Sequence, residues 1–199
     1  MAQESSPPRR WWVRAVRVGF LSFTLAVAIS YIADVTLSRV PALLSMLGVG
    51  LLILINIVFD IIGTAVTAAE TPPLHAMAAK RVAGSKQALF LVRNADRVAN
   101  FLNDVVGDVT GAVSGAAGAT VAMQLVNAFH GGELAHQLTS LAVIGLISFF
   151  TVGGKAAGKS FAMEHPIDVV FLAGRIIYAT EQVTGRSFTG GRSPRRRSP

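Results

Sequence analysis

The side chains best placed to do chemistry are acidic and amide groups set inside apolar sequence. In the stretch NFLNDVVGDVTGAVSGAAG, residues 100–118, Asn100, Asp104 and Asp108 recur every fourth position. On an α-helix that spacing stacks them on one face. A second apolar run carries Asn56, Asp60, Thr64 and Thr67 at i, i+4, i+8 and i+11, again one helix face. With Asn103 the two sets form an all-oxygen group. Oxygen-only ligands suit hard ions such as Mg²⁺, Na⁺ or Ca²⁺ rather than zinc or copper. The chemistry expected is therefore cation binding, and the ligands have to come from two neighbouring helices.

An Asp at the centre of a membrane helix costs ~2.5–3.5 kcal/mol. Asp60, Asp104 and Asp108, all near mid-depth, would together approach about 8–10 kcal/mol. Asp104 also repels Asp108 one turn away when both are ionised. Protonation, hydrogen bonds from neighbouring helices or a bound cation could offset this. Two readings stay open: an ion site, or a clamp of interhelical hydrogen bonds worth roughly 0.6–2 kcal/mol each. A stripe of small residues, Gly107, Gly111, Ser114, Gly115 and Gly118, follows on the same helix. Small-xxx-small spacing lets helix backbones approach closely, so this stripe is expected to pack helices inside the bundle or across a dimer.

Other chemistry is poorly served. His75, His130, His136 and His165 lie scattered without metal-ligand spacing. No nucleophile–base arrangement and no phosphate-binding loop is present, so an enzyme is not expected. The chain has no Cys, which excludes disulfides and thiolate metal sites.

The elements that must position these residues follow from composition. Charged residues make up 15% of the chain, against about 25% in soluble domains. With a mean hydropathy of +0.53, this places the chain among membrane proteins. The expected fold is all-α, a polytopic membrane helical bundle occupying residues 11–184. Its four spans are expected at about 15–37, 42–69, 98–129 and 138–152, each near the ~20 residues that cross a hydrocarbon core. Pro72-Pro73 is expected to end the second span, and Gly153-Gly154-Lys155 the fourth. Amphipathic juxtamembrane helices are expected at about 74–96 and 167–183. Residues 1–10 and the basic tail 185–199 are expected to lack order. The first apolar run has a rival reading as a cleaved signal peptide, with Ala26-Val27-Ala28 as its cleavage motif, but it exceeds the usual length of such a segment.

Seventeen of the 18 Lys and Arg residues fall on one side of this topology, leaving Arg39 alone on the other. The positive-inside rule puts both termini in the cytoplasm of a multi-pass plasma-membrane protein. Arg195, Arg196 and Arg197 suit anionic lipid headgroups. No nucleic-acid-binding motif accompanies them, so the expected partner is the lipid bilayer and not nucleic acid.

Four short motifs share an order with one known family. Gly63-Thr64-Ala65-Val66-Thr67-Ala68 stands where that family reads roughly Ser-Gly-Ala-Glu-Thr-Ala, with Val66 at the Glu. A four-residue shift instead matches Ala69-Glu70-Thr71, and both registers stay open. Asn94-Ala95-Asp96-Arg97 echoes Asn-Pro-Asp/Glu-Arg. Gly107-Asp108 resembles Gly-Asn, two residues later than the family spacing. Gly154-Lys155-Ala156-Ala157-Gly158-Lys159 keeps the Gly and the final Lys of Gly-Glu-x-x-Pro-Lys. From Leu51 to Tyr178 the chain thus resembles the transmembrane domain of the CorB/CorC–cyclin M family, with the helix at 15–37 extra. The resemblance implies Mg²⁺ transport or efflux, with Na⁺ as a coupling ion in some members, and a homodimer. It also implies an ion held between the first two motifs by small polar side chains and carbonyls, at Thr64, Thr67 and Asp108. That family usually continues into a cytosolic nucleotide-sensing module, so here a separate cytosolic regulatory partner is expected. Because the motif Glu is replaced, the alternative is a non-transporting, dimerising membrane scaffold or regulatory subunit that uses the Gly-rich helix face.

The topology is testable on a chain without native Cys. Ser38→Cys should react with an impermeant maleimide on intact cells, and Ala83→Cys only after permeabilisation.

Overall fold

The computed structural model describes residues 9–128 and 132–186. Most of the two terminal segments expected to lack order, and the expected end of the third span at Phe129, fall outside the described residues. Within them every regular element is helical: α1 (Arg9–Leu37), α2 (Ala42–Ala68), α3 (Thr71–Ala79), α4 (Ser85–Arg93), α5 (Ala95–Ala99), a π-helical segment (Asn100–Gly107), α6 (Asp108–Ala128), α7 (Glu133–Glu164) and α8 (Pro166–Thr184). Four stretches are long and apolar enough to cross a membrane: Ala15–Leu37, Ala42–Ala68, Ala95–Asn127 and Glu133–Glu164. The protein is an all-α, multi-pass membrane protein. Its helices form two compact units, Met1–Ile57 with Asp104–Gly154, and Val58–Asn103 with Lys155–Pro199.

In the first unit Leu37, Val49, Ile53, Ala117 and Val121 make the core. Gly48 makes room for it, since a Cβ there would stand 2.7 Å from Leu37 Cδ2. The last carbonyls of a helix have no intrahelical partner and cannot be hydrated in lipid. At the end of α1, Leu37 O accepts hydrogen bonds from Ser45 Oγ (2.9 Å) and Gln124 Nε2 (2.8 Å). Two polar residues that interrupt apolar helices thereby close a third helix.

The second unit is built around α3, α4 and α8. Pro72 and Pro73 occupy the first turn of α3. There a missing N–H costs nothing, so the pair both follows the end of α2 and starts the next helix. The turn into α4 puts Arg81 (φ 57°) and Gly84 (φ 88°) in left-handed backbone. α4 is amphipathic and buries Ser85, Gln87, Ala88, Leu89 and Leu91. Of these, Ala88, Leu89 and Leu91 join Ala65, Val66, Leu74, Ala162, Val170 and Ala173 in one core. α8 crosses the start of α4 backbone to backbone. A Cβ on Gly174 would lie 2.5 Å from Gly84 O and 2.7 Å from Ala88 N, and one on Gly84 would lie 2.8 Å from Arg175 Cα. Gln87 Nε2 donates to Glu181 Oε2 at 2.6 Å across the same pair.

The largest departure from the sequence reading is α7, which continues twelve residues past Val152. Gly153 and Gly154 cost about 1 kcal/mol each in a helix interior but do not forbid it. No Pro follows until Pro166, and the extension buries Gly158 and Ala162. α8 falls where it was expected, and Gly185 closes it in left-handed conformation (φ 65°).

The Gly84–Gly174 approach predicts a sharp asymmetry. Gly174→Val should cost about 1–3 kcal/mol by overpacking, read as a lower melting temperature in detergent. Gly115→Ala, which meets nothing within 4 Å, should leave it unchanged.

Candidate functional site

Asp60 is the carboxylate that the fold buries, with 3% of its surface exposed. It stands 18 residues after Ala42, roughly 27 Å along α2 at 1.5 Å per residue. Eight residues, roughly 12 Å, separate it from the end of α2 at Ala68. Two cations meet it there. Lys159 Nζ lies 3.6 Å from Oδ2 and Lys155 Nζ 4.0 Å from Oδ1. The lysines are one turn apart on α7, so both ammonium groups reach one carboxylate. Their side chains are 24% (Lys155) and 50% (Lys159) exposed, which leaves them a path to water.

One turn beyond Asp60, Gly63 leaves a gap that the Asn103 side chain fills; a Cβ at Gly63 would overlap Asn103 Oδ1. That oxygen is buried and accepts no hydrogen bond. Thr64 is half-buried, whereas Thr67 is exposed and its Oγ1 donates to Thr64 O at 2.8 Å. The second unit thus holds Asp60, Asn103 and Thr64 with two lysines beside the carboxylate.

The remaining expected residues are placed differently. In the first unit Asn56 is fully buried, and neither polar atom of its side chain has a partner. A Cβ on Gly111 would stand 3.4 Å from Asn56 Nδ2, so the glycine leaves the amide its space. Ser114 is buried and its Oγ donates to Gly111 O at 2.9 Å. Gly107 and Gly118 are buried, Gly118 against Ile147, while Gly115 lies open.

Asn100, Asp104 and Asp108 are exposed. Val105, Val109, Thr110 and Val113, beside and beyond them on the same helix, take the buried face. Asp108 stands 13 residues after Ala95 and 19 before Asn127, near the middle of that apolar stretch. Asn100, Asn103 and Asp104 sit in the π-helical segment Asn100–Gly107. Such i→i+5 turns are rare and are found frequently at functional sites.

Sequence reasoning missed the two lysines, because Gly153-Gly154-Lys155 reads as the end of a span. The available signal was their i, i+4 spacing, one turn on a helix, at the same end of the topology as Asp60. It also missed Thr151, whose buried Oγ1 has no hydrogen-bond partner. Among the described residues, no three His, Cys, Asp or Glu side chains come together as a metal site. Comparison with family models, curated proteins and solved structures found no match to this chain.

Removing both lysines should leave a buried, unpaired carboxylate. Lys155→Gln with Lys159→Gln should lower stability, by less than the ~3–5 kcal/mol of a fully buried pair, because Lys159 is half exposed. Adding Asp60→Asn should restore most of the loss, measured as the melting temperature of the three proteins in one detergent.

Proposed function

We propose that this membrane protein handles a cation at the far end of its second span. Asp60 is the carboxylate the ion engages, and Lys155 and Lys159 are tethered cations that hold it when the ion is absent. The observation that carries this reading is a carboxylate 3% exposed in a membrane helix and matched by two partly exposed lysines. Buried charge in a span is costly and is a functional hypothesis by default. Asn103 Oδ1, buried without a donor, and Thr64 supply neutral oxygens in the same unit.

One carboxylate with neutral oxygens and retained waters is the kind of set that Mg²⁺ accepts. Mg²⁺ is therefore the first ion to test, with Na⁺ as coupling ion. The resemblance to the CorB/CorC–cyclin M transmembrane domain points the same way. Thr64, carried over from that resemblance, lies one turn from Asp60, whereas Thr67 and Asp108 are exposed.

A second reading, a dimerising scaffold or regulatory subunit, rests on the exposed face of the third span. Asn100, Asp104, Asp108, Ala112 and Gly115 all lie open on it. Lipid solvates such a face poorly, and a protein surface suits it better.

Reconstituted protein should carry Mg²⁺ across proteoliposomes. Asp60→Asn should reduce the flux at least tenfold, while Lys159→Gln, which removes a competitor, should raise apparent Mg²⁺ affinity. Flux equal in wild type and Asp60→Asn would overturn the assignment. A well-folded wild type without flux would leave the scaffold reading.

A further inference from the structure

We infer that the exposed face of α4 and α5 is a docking surface for anionic phospholipid headgroups. Connectivity supplies the first argument. This segment joins α2, which ends at Ala68, to a span that begins at Ala95, so both of its ends enter a membrane. A bilayer surface is therefore within reach of every residue between.

The side chains supply the second. Lys86, Phe90, Arg93 and Arg97 stand at i, i+4, i+7 and i+11, and all four are exposed. The opposite face of α4 is buried against its own unit, so the helix has one free side and that side is basic. Lys80 and Arg81 add two exposed cations at the preceding turn, against Asp96 on α5 and Glu70 at the start of α3, both exposed. Phe90 and Val82, each 39% exposed, put apolar surface among the cations. Cations with interspersed aromatic and aliphatic groups are the make-up of a helix lying in the headgroup region. Arg93, Asn94, Asp96 and Arg97 also line an open polar hollow of about 390 Å³ where α4 meets α5.

Attraction to an anionic leaflet falls on the order of fivefold for each cation removed. The surface should thus distinguish phosphatidylglycerol from phosphatidylcholine, and salt should weaken the preference. This inference does not depend on the ion reading, since none of these residues belongs to the Asp60 site.

The test uses the full chain with Phe90→Cys as its one cysteine, labelled with bimane and reconstituted into nanodiscs. Brominated phosphatidylglycerol should quench the label at least twofold more than brominated phosphatidylcholine at equal mole fraction. Lys86→Gln, Arg93→Gln and Arg97→Gln together should abolish the difference, and Lys86→Glu alone should reduce it. A label at Thr180→Cys on α8 serves as reference and should show no lipid preference. Equal quenching by both lipids at Phe90→Cys, or a water-exposed label in either, would overturn the proposal in favour of an acidic protein partner.

Discussion

A carboxylate taken into an apolar helix needs a positive charge within a few ångströms, and at Asp60 two lysines of α7 provide it. Much else follows from this pairing. α7 must keep its helical course past Gly153 and Gly154 for Lys155 and Lys159 to stand one turn apart. Removing two charges from water costs several kcal/mol per ion before their attraction repays it. The partial exposure of both lysines lowers that cost, because their ammonium groups keep a share of hydration.

Lipid imposes a second constraint, on backbone groups. The carbonyl of Leu37 ends a span, and Ser45 and Gln124 close it with their side-chain donors. Small residues do related work. Gly48 admits Leu37, Gly63 admits Asn103, and Gly118 admits Ile147. In each case the glycine makes room for one side chain, whereas Gly84 and Gly174 bring two backbones together. Polar residues within apolar helices thus fall into two kinds. Ser45 and Gln124 have donors spent on the backbone, while Asn56 and Asn103 keep buried side-chain atoms without a hydrogen-bond partner.

The all-α class, the four spans and α8 were legible because hydropathy and helical periodicity are properties of local sequence. The site was legible only in part. Asp60 and Asn56 are buried, as their setting in the most apolar run implied. Asp104 and Asp108 carry the same residue type in a similar run, yet they are exposed. A four-residue stripe says which residues share a face but not which way that face turns. That choice is made by Val105, Val109 and Val113, whose branched side chains fill the core. The lysine partners escaped notice because glycine pairs are weak stop signals, and only packing against the second unit's core decides whether a helix passes through them.

The wide turns of Asn100–Gly107 have a consequence for how this sequence can change. An α-helix advances about 100° per residue, so losing one residue from a span swings everything beyond it onto another side. A stretch that already holds extra residues per turn can tighten and take up such a loss, keeping the phase of the helix that follows. Among the described spans, this is where chain length has slack, beside the amide and carboxylate groups whose direction that slack would tune.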